Sequence, residues 1–564
     1  MKKIRTVDLT TEYEKELGEI PFCEYPRPGM VRDSYVSLNG KWDFKIENKG
    51  NIKYNGDILV PFVPESRLSG VCRYIEPDDE LIYSRTFSLN KKSDKKYILH
   101  IGACDQFAYV HVNGAAIGEN TGGYLPFEFD ITEQAKDGEN TLCIIARDPM
   151  DTELPYGKQT IHRGGMWYTK ISGIWQSVWL EEVAQSYIEK IKITPDLTGV
   201  DIDVVGGKRE KTIVFEGKEY NFEGEHFRLD PDSPILWTPE TPHLYEFDII
   251  SGEDRVSSYF GLRTFEVQGN KLVLNGRPIF CHGLLDQGYF PDGIFMPASY
   301  RGFEDDVVRM KECGFNMLRK HIKLEPELFY YYCDKHGMLV FQDMINSGKY
   351  SFFLDTALPT VFLKSGISHR ATKYRRQEFE KTSYGIIDTL YNHPSVVYYT
   401  IFNEGWGQFD ADRYYREFKA YDPTRVYDAT SGWFKEKKSD VDSEHVYFKP
   451  VKLKMSSRPM VLSEFGGYSC KIKEHSFNLE KTYGYRYFEK VDAFENALVS
   501  LYENEVSPAI ENGLAAAVLT QVSDVEDETN GLLTYDRRLL KVDTARMKEL
   551  SAHLYEKFSK NVDK

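Results

Sequence analysis

Two glutamates follow short apolar runs in the C-terminal half of the chain: Glu404 comes after residues 396–402, and Glu464 after residues 460–462. The first run is continuous rather than alternating, which predicts a strand buried on both faces. Two carboxylates at the tips of parallel strands can cleave an acetal. One must be protonated to assist the leaving oxygen, and the other must be ionised to attack the anomeric carbon. The alternative for each is a surface glutamate after a core strand.

Other polar residues end neighbouring predicted strands. Arg319 and His321 follow residues 316–318, Asn403 precedes the first glutamate, and His445 and Tyr447 belong to a strand predicted at 445–447. In a barrel, these strand ends converge on one mouth. Arg319 and Tyr447 are predicted to donate hydrogen bonds that keep one glutamate ionised. The alternative for each is an ordinary, satisfied polar group at a strand end.

Motifs of other hydrolases are absent from the sequence. It contains no H-x-x-x-H or H-x-H pair and no G-x-S-x-G elbow, which argues against a zinc or a serine hydrolase. We therefore expect no metal in the reaction and no required cofactor. A structural Mg²⁺ or Na⁺ is left open, although the sequence has no clear ligand cluster for one.

Bulk composition narrows the class of protein. A chain of 564 residues predicts two to four domains, and its net charge of −16 argues against nucleic acid and anionic membranes as partners. No 18-residue apolar run is present, so no membrane span is expected. The first eight residues do not resemble a signal peptide, and the eight cysteines are scattered. We expect reduced thiols and a cytoplasmic protein.

The pattern of apolar residues divides the chain into three parts. Residues 1–183 contain short strand-like runs, including one that ends in the hairpin signal Asn113-Gly114, and predict a jelly-roll β-sandwich. Residues 184–265 predict a small immunoglobulin-like β-sandwich. Residues 266–564 alternate predicted strands and helices, which favours a TIM (β/α)₈ barrel. A doubly wound open sheet is the alternative, weakened because no glycine-rich phosphate loop follows any strand.

The barrel prediction rests on eight strand candidates and six helical stretches. The strands are predicted at 279–281, 316–319, 338–341, 396–402, 426–428, 445–447, 460–462 and 515–522. The helices are predicted at 303–313, 326–336, 371–391, 412–421, 490–504 and 544–558.

The motifs together resemble glycoside hydrolase family 2, the β-galactosidase and β-glucuronidase family. The acid/base signature matches N-H-P-S-V at 392–396 with N-E at 403–404, and the nucleophile strand matches M-V-L-S-E-F-G at 460–466. The N-terminal jelly roll of the family matches L-N-G-x-W-x-F at 38–44, G-G-Y-x-P-F at 122–127 and S-G-I-W at 172–175. F-G-L-R at 260–263 and L-N-G at 274–276 match the entry to the barrel. The resemblance covers nearly the whole chain.

This resemblance implies a retaining mechanism with a covalent glycosyl–enzyme. Glu404 is then the general acid/base and Glu464 the nucleophile, with carboxylates roughly 5 to 5.5 Å apart. Asn403 is implied to hydrogen-bond the sugar 2-hydroxyl, and Arg319 and Tyr447 to orient Glu464. The family also implies a small carbohydrate substrate and a homo-oligomer, dimer or tetramer.

The chain departs from the family where glucuronidases bind the uronate carboxylate. Glu528 and Asn530 stand where those enzymes carry an asparagine and a lysine. Ordinary β-glucuronidase activity is therefore not expected. Lys320 and Lys323, after the second barrel strand, are an alternative way to bind a carboxylate, and a solvated loop is their bland interpretation.

Other positions that choose the sugar also differ. Asp286 and Gln287 replace part of a motif after the first barrel strand and are predicted to recognise hydroxyls. Trp406 and Trp433 are predicted as stacking platforms, with packing as the equal alternative. Trp167 replaces an aspartate that reaches in from the N-terminal domain, and Thr520 replaces a tryptophan of the eighth strand.

The sequence thus predicts an exo-acting retaining β-glycosidase, with a β-galactoside as first choice. A uronide-specific enzyme (β-galacturonidase or β-glucuronidase) and a pentosidase of the same family are the enzymatic alternatives. A carbohydrate-binding protein with an inactive barrel is the non-enzymatic one. The predicted substrate-binding residues are Asn403, Arg319, His321, Tyr447, His445, Asp286, Gln287, Trp406, Trp433 and Lys323, beside catalytic Glu404 and Glu464.

Overall fold

A computed structural model describes residues 8–357, 371–432, 436–453 and 456–562. The first part of the chain forms a β-sandwich of a four-stranded and a six-stranded sheet, ordered β1-β14-β5-β9 and β3-β2-β4-β10-β7-β8. Asn113 and Gly114 both take positive φ, of 52° and 80°, and close the β7–β8 hairpin as predicted. Two further sheets, β11-β12 and β13-β6, have two strands each. The strands of this part of the chain are β1 (Tyr35–Ser37), β2 (Gly40–Asn48), β3 (Asn51–Val60), β4 (Glu80–Leu89), β5 (Lys95–Ile101), β6 (Cys104–Asp105), β7 (Phe107–Val112), β8 (Ala115–Thr121), β9 (Phe127–Asp130), β10 (Gly138–Arg147), β11 (Gln159–Thr160), β12 (Tyr168–Thr169), β13 (Gly173–Ile174) and β14 (Val178–Ala184).

A second, smaller sandwich follows and has seven strands in two sheets, ordered β15-β16-β19 and β18-β17-β20-β21. Inward-facing residues alternate with exposed ones along β20, as a half-buried strand requires. The first strand here begins four residues after β14 ends, beside the predicted domain limit at 183, and that limit stays a prediction. The strands are β15 (Ile188–Pro195), β16 (Val200–Gly206), β17 (Glu210–Phe215), β18 (Lys218–Glu223), β19 (His226–Leu229), β20 (Tyr245–Ser251) and β21 (Asp254–Phe260).

The C-terminal part is a parallel eight-stranded barrel with one open seam. After a small antiparallel sheet of β22 (Phe265–Gln268), β23 (Lys271–Leu274) and β24 (Arg277–Pro278), the strand order is β29-β28-β27-β26-β25-β34-β31-β30. In the described residues β29 and β30 do not pair, so the seam lies between the fifth and sixth strands. The barrel strands are β25 (Cys281–Asp286), β26 (Met317–Lys320), β27 (Leu339–Asp343), β28 (Val396–Thr400), β29 (Val426–Asp428), β30 (Asp442–Val446), β31 (Met460–Gly466) and β34 (Leu514–Thr520). Beside them, β32 (Tyr468–Cys470) pairs with β33 (Arg486–Phe488).

The predicted fold class is therefore confirmed, and the doubly wound open sheet is wrong. Side chains fill the barrel interior, where Phe341 of β27 stacks on Tyr398 of β28 with ring centroids 4.1 Å apart. The first strand was predicted at 279–281 but runs over Cys281–Asp286. The prediction failed there because G-L-L-D carries a glycine and an acid, which weaken a strand pattern even though every residue of β25 is buried.

Seven α-helices are described, and each of the six predicted helical stretches corresponds to a different one of them. Gly337, with φ of 71°, ends α2 in the left-handed conformation, and the Thr372 side chain accepts a hydrogen bond from Arg375 N at the start of α3. The helices are α1 (Arg301–Glu312), α2 (Glu327–His336), α3 (Lys373–Leu390), α4 (Ala411–Tyr421), α5 (Val491–Leu501), α6 (Ser507–Glu511) and α7 (Thr544–Val562). A π-helical segment, Tyr502–Val506, joins α5 to α6, and another covers Phe352–Ala357.

The segment before β28 joins the barrel to the second sandwich. The Asn392 side chain donates to Ile191 O and accepts from Ile193 N on β15, both at 2.8 Å. Next to it, His393 Nδ1 lies 2.6 Å from a carboxylate oxygen of Asp334, which also accepts from Tyr259 at 2.7 Å. Asp334 is fully buried, so these bonds are shielded from water. The N-H-P-S motif therefore fixes the start of the strand that carries Glu404.

None of the described helices is long and apolar enough to cross a membrane. All eight cysteines are free thiols, and five of them are buried.

Candidate active site

Glu464 lies on β31 at the carboxyl end of the barrel. The register of β31 against β34 shifts between Leu462 and Phe465, a bulge that alters where side chains of this strand point. The Glu464 side chain is only 6% exposed. Its Oε1 accepts from Arg319 Nη1 at 3.1 Å, and its Oε2 accepts from the Tyr447 hydroxyl at 2.5 Å. Both carboxylate oxygens are therefore oriented by buried donors.

Glu404 lies just beyond β28, on the turn that follows it. Its backbone N donates to Ser431 O at 2.8 Å, and its φ of 54° lies in the left-handed region. Such a conformation costs a non-glycine residue roughly 1 kcal/mol or more and is found mostly at functional sites. Glu404 Oε1 lies 2.9 Å from His445 Nδ1, and the side chain is 21% exposed. This carboxylate is the more accessible of the two.

The two carboxylates are close together, with His445 between them. One oxygen of Glu404, one of Glu464 and a ring nitrogen of His445 all lie within 4.8 Å of one another. His445 Nε2 is 3.5 Å from Glu464 Oε1 and 2.8 Å from the Ser431 hydroxyl. An inverting glycosidase needs a wider gap, roughly 6.5 to 9.5 Å, to hold a water between its acids. Two carboxylates and an imidazole at this spacing could also ligate a metal ion, so an activity assay should include a chelator control.

A buried network supports Glu464 from the neighbouring strands. Arg319 donates Nε to Asp343 Oδ1 at 2.9 Å and Nη2 to Asn403 Oδ1 at 2.9 Å, in addition to its bond with Glu464. His321 Nδ1 lies 2.8 Å from Asp343 Oδ2. Because the Asn403 amide oxygen accepts from Arg319, its Nδ2 is left to donate to a ligand. The strand ends thus converge as the sequence predicted.

The charges around Glu464 favour its ionised form. Burial acts to raise the pKa of Glu464, but the positive charges of His445, His321, Arg319 and Lys158 outweigh it and hold that pKa well below the usual range. Burial raises the pKa of the Tyr447 phenol, so Tyr447 stays protonated and donates. Glu464 is therefore ionised, as a nucleophile must be.

Comparison with known proteins agrees with this geometry along the chain. Residues 265–551 match the TIM barrel domain of glycosyl hydrolases family 2, residues 54–176 match its galactose-binding domain-like model, and residues 181–263 match a further family 2 model. The barrel match alone spans half of the chain. The chain belongs to glycosyl hydrolase family 2.

Among family 2 relatives, the chain is similar to β-galactosidases. It is 23% identical over 508 residues to the β-galactosidase of Leuconostoc mesenteroides, covering 78% of this chain and 45% of that protein. It is 28% identical over 295 residues to the β-galactosidase of Thermoanaerobacter pseudethanolicus, covering 46% of this chain and 39% of that protein. The chain therefore spans less than half the length of these two relatives.

Solved structures with the same fold include uronidases. The β-D-glucuronidase of Dictyoglomus thermophilum superposes with a TM-score of 0.72 at 18% identity, covering 94% of this chain and 98% of that one. A family 2 β-galacturonidase of Eisenbergiella tayi bound to galacturonate gives a TM-score of 0.69 at 19% identity, covering 94% and 99%. At these identities the likeness shows the fold alone.

The two lysines predicted to bind a carboxylate are engaged inside the protein. Lys320 is fully buried and pairs with Asp286 at 2.7 Å and Glu325 at 2.8 Å. Lys323 is 2% exposed and pairs with the other Glu325 oxygen at 2.9 Å, while also donating to the carbonyl of Gly288 at 2.5 Å. The substrate-binding prediction for Lys323 is therefore corrected. Its ammonium is part of a buried cluster in which the charges of two lysines balance those of two acids.

Asp286, at the end of β25, and Gln287, which follows it, differ in whether they are available to a substrate. Asp286 is tied to Lys320, and its other oxygen accepts from Gly288 N at 3.0 Å, so the prediction that it reads a sugar hydroxyl is corrected. Gln287 is 4% exposed, and its Oε1 has no partner among the described residues. Gln287 therefore stays a candidate for substrate binding.

Of the two tryptophans predicted to stack on the sugar, the structure describes only Trp406. Trp406 is 4% exposed, donates Nε1 to Gly348 O at 2.9 Å, and meets the Trp167 ring edge-on with centroids 4.8 Å apart. These contacts favour packing, the alternative left open by the sequence. Trp433 lies outside the described residues. Thr520, in place of a tryptophan, bonds the Tyr447 hydroxyl at 2.9 Å and helps to orient it.

Sequence reasoning missed three residues of the site. Asp343 ends β27 and could have been found by the same strand-end rule that found Arg319. Tyr485 stacks on Tyr447 with ring centroids 4.1 Å apart, and its pKa is raised first by burial and then by nearby groups that include Glu404 and Glu464. Lys158 comes from the first sandwich. Neither Tyr485 nor Lys158 follows a barrel strand, so no local pattern marked them.

Proposed function

We propose that this family 2 protein is a retaining, exo-acting β-glycosidase that removes a terminal neutral sugar, with β-galactosides as the first choice. The observation that carries the proposal is the separation of the catalytic carboxylates, whose nearest oxygens lie within 4.8 Å. That separation is shorter than the roughly 6.5 to 9.5 Å of inverting enzymes and suits direct attack by one carboxylate on the sugar.

In the first step, Glu464 attacks the anomeric carbon and forms an ester with it. The bond from that carbon to the leaving oxygen breaks, and the proton of Glu404 moves to this oxygen. Glu404 suits the role of proton donor because it is the more exposed of the two carboxyls, and the leaving group must depart toward solvent. Arg319 and Tyr447 hold the nucleophile ionised and oriented through both of its oxygens.

In the second step, water attacks the anomeric carbon from the face that the leaving group has vacated. Glu404, now a carboxylate, removes a proton from that water, and Glu464 leaves as a carboxylate. His445 bonds Glu404 Oε1 throughout and lies beside Glu464, so it can compensate charge as the proton moves between states. Asn403 donates its free Nδ2 to the sugar 2-hydroxyl. Two inversions give net retention of the β configuration.

The neutral sugar is inferred from the charges around the site. Glu528, an anion when ionised, occupies the position at which glucuronidases carry an asparagine for the uronate. Lys320 and Lys323 form ion pairs with Asp286 and Glu325 and are therefore not available to a substrate carboxylate. A substrate carboxylate would therefore enter a site that already contains several acids. Galactose is preferred among neutral sugars because the curated relatives named above are β-galactosidases.

A panel of 4-nitrophenyl glycosides tests the proposal. It should contain the β-galactoside, β-glucuronide, β-galacturonide, β-xyloside and α-L-arabinoside, with a chelator present in a parallel series. We expect hydrolysis of the β-galactoside, release of the β-anomer first in NMR spectra, and loss of activity in Glu464→Ala. Release of the α-anomer first would overturn the retaining mechanism, and preference for a uronide or pentoside would overturn the sugar.

The same panel distinguishes an inactive, carbohydrate-binding barrel. Such a protein has no need of an ionised, doubly oriented Glu464, so we expect turnover rather than binding alone. Tight binding of galactose with no turnover of any glycoside would favour the non-enzymatic alternative.

A further inference from the structure

A loop of the first sandwich reaches the mouth of the barrel. Gly157 has φ of 66°, and a Cβ added there would lie 2.8 Å from Ile322 O, just beyond β26. Only glycine allows so close an approach of the two backbones. Further along the loop, Thr169 N donates to Glu526 Oε1 at 3.0 Å, on the segment after β34. The loop therefore touches the barrel on two sides of the site and carries Lys158 between them.

The Lys158 ammonium lies among groups that come from different parts of the barrel. It is 6.0 Å from the centroid of the Tyr168 ring, whose hydroxyl bonds Glu528. Its charge is one of those that hold the pKa of Glu464, on β31, below the usual range, and it adds to the effect of burial in lowering the pKa of His321, beyond β26. Burial raises the pKa of Glu528, beyond β34, and the charge of Lys158 acts against that rise. Within the described residues, the half-buried ammonium makes no hydrogen bond and no ion pair. Such an amine has its donors available for a ligand.

Glu528 presents a matching acceptor. Its Oε2 accepts from the Tyr168 hydroxyl at 2.6 Å and from Gln521 Nε2 at 2.8 Å. Its Oε1 accepts nothing from the described part of the chain, although the side chain is only 5% exposed. Because the orientation of this carboxyl is set by two bonds to Oε2, Oε1 is a fixed and unused acceptor.

We propose that Lys158 and Glu528 together bind two hydroxyl groups of the terminal sugar, with Lys158 donating from one side and Glu528 accepting from the other. Lys158 is thereby the residue through which the first sandwich of this chain contacts the sugar. This deepens the proposed function and rests on its assignment of the sugar site to the region beside Glu464.

Hydroxyl groups suit this pair better than a carboxylate does. A hydroxyl both donates and accepts, so it can satisfy an ammonium and a carboxylate at once. A uronate carboxylate can accept from Lys158 but cannot donate to Glu528, and it would lie close to that charge. A site that hydrogen-bonds hydroxyls also rejects analogues that lack them, because its own buried groups are then left unpaired.

Binding and kinetics of the full chain test the inference. Calorimetry should compare D-galactose and D-galacturonate on the wild type, Lys158→Met, Glu528→Gln and the control Lys349→Met. Lys349 is an exposed lysine beside Trp167 on the neighbouring cleft, so its loss removes a charge near the site without removing a predicted contact. We expect galactose binding to weaken about tenfold to hundredfold in Lys158→Met, which is typical for loss of a charged hydrogen bond, and to change less than about twofold in the control.

Monodeoxy galactosides identify the hydroxyls. For the wild type, kcat/KM should fall for an analogue lacking a hydroxyl that Lys158 binds. In Lys158→Met that particular deoxygenation should cost little more, because the contact is already absent. An equal loss on every analogue, together with a shifted acid limb of the pH profile, would mean that Lys158 acts only through the charge of Glu464, and would overturn substrate binding.

The outcomes also separate this inference from the proposed function. If the wild type hydrolyses no glycoside yet binds galactose through Lys158, the inference stands and the catalytic proposal falls. If the enzyme is active but Lys158→Met matches the wild type in binding and in kcat/KM, the inference falls alone. Tight binding of galacturonate that depends on Lys158 would overturn the hydroxyl assignment in favour of a carboxylate.

Discussion

The roles of the two glutamates can be separated by replacing each with alanine. Among the described residues, the Glu404 side chain hydrogen-bonds only His445, and it is 21% exposed. Its replacement by alanine should therefore leave the fold intact and leave a small space open to solvent. Glu464 is 6% exposed and accepts hydrogen bonds from Arg319 and Tyr447, so it is the less accessible of the two carboxylates.

The size of the effect depends on the leaving group. A positioned general acid contributes about 10²- to 10⁴-fold to the rate, and Glu404→Ala should lose roughly that much kcat/KM on a phenyl β-galactoside. A 2,4-dinitrophenolate leaves without a proton, so its release in the first step should fall by less than about tenfold. The second step still lacks its base, so kcat on the dinitrophenyl substrate should drop and a burst of product should be seen.

Azide provides the decisive assay. A small anion that enters the space vacated in Glu404→Ala can attack the glycosyl–enzyme without base catalysis, restore kcat on the dinitrophenyl substrate and yield the β-glycosyl azide. In Glu464→Ala, azide enters from the opposite face and should yield the α-glycosyl azide. Absorbance of released phenolate gives the rates and NMR gives the anomer.

Two results would refute the assignment. Equal losses on the phenyl and dinitrophenyl substrates would show that Glu404 does not protonate the leaving group. An α-azide from Glu404→Ala would exchange the two roles. Unchanged melting temperatures in both variants are the control that ties these results to chemistry rather than to folding.

Three further predictions follow from the contacts. Tyr447→Phe removes a donor to ionised Glu464, so kcat/KM should fall about tenfold to hundredfold with little change in melting temperature; an unchanged rate would contradict the orienting role. Because the pKa of Glu464 is depressed, its contribution to stability is present above the unfolded value near about 4.3 and is lost as the pH falls further, so the wild-type melting temperature should drop relative to Glu464→Gln below that pH; parallel curves would contradict the shift. Asp334→Ala leaves Tyr259 and His393 without their buried acceptor and should destabilise the fold by about 3 to 5 kcal/mol, while kcat/KM of the folded enzyme stays within about twofold, as measured by thermal unfolding and initial rates.

The strand-end rule worked where the site is built by neighbouring strands. Arg319, Asn403 and Glu464 come from three strands of one parallel sheet, whose carboxyl ends meet whatever the connecting loops do. Their types and positions could therefore be predicted from apolar runs alone. Asp343 obeys the same rule, and it was missed only because the predicted strand was ended at residue 341 rather than at 343.

The rule was misleading where a strand-end residue turns away from the mouth. Lys323 and Asp286 have the right types beside the right strands, yet they pair within a buried cluster around Glu325. A sequence shows that a lysine is present but not whether an acid lies within 3 Å of its amine. Buried ion pairs of this kind are set by packing between loops, which local patterns do not encode.

The N-H-P-S motif illustrates a signal that was correct for a different reason. In the sequence it is part of the acid/base signature of the family. In the structure, Asn392 pins β15 of the second sandwich, and His393 closes a buried bond to Asp334. The motif thus fixes the start of β28 against the second sandwich, and Glu404 follows the other end of this strand.

Reaction and specificity are carried by different kinds of segment, which explains how one can vary without the other. Glu464 has both oxygens occupied by protein donors, and Asp343 bonds Arg319 and His321, so substitution there breaks a saturated network. Lys158 and Glu528 each have a polar atom with no hydrogen-bond partner in the described ranges, and both lie outside the eight strands. A change in either alters what the sugar meets while the nucleophile keeps its orienting donors. The strand-end residues of the site could therefore be located from the sequence, whereas the proposed sugar contacts depend on loops from two domains that only the folded chain brings together.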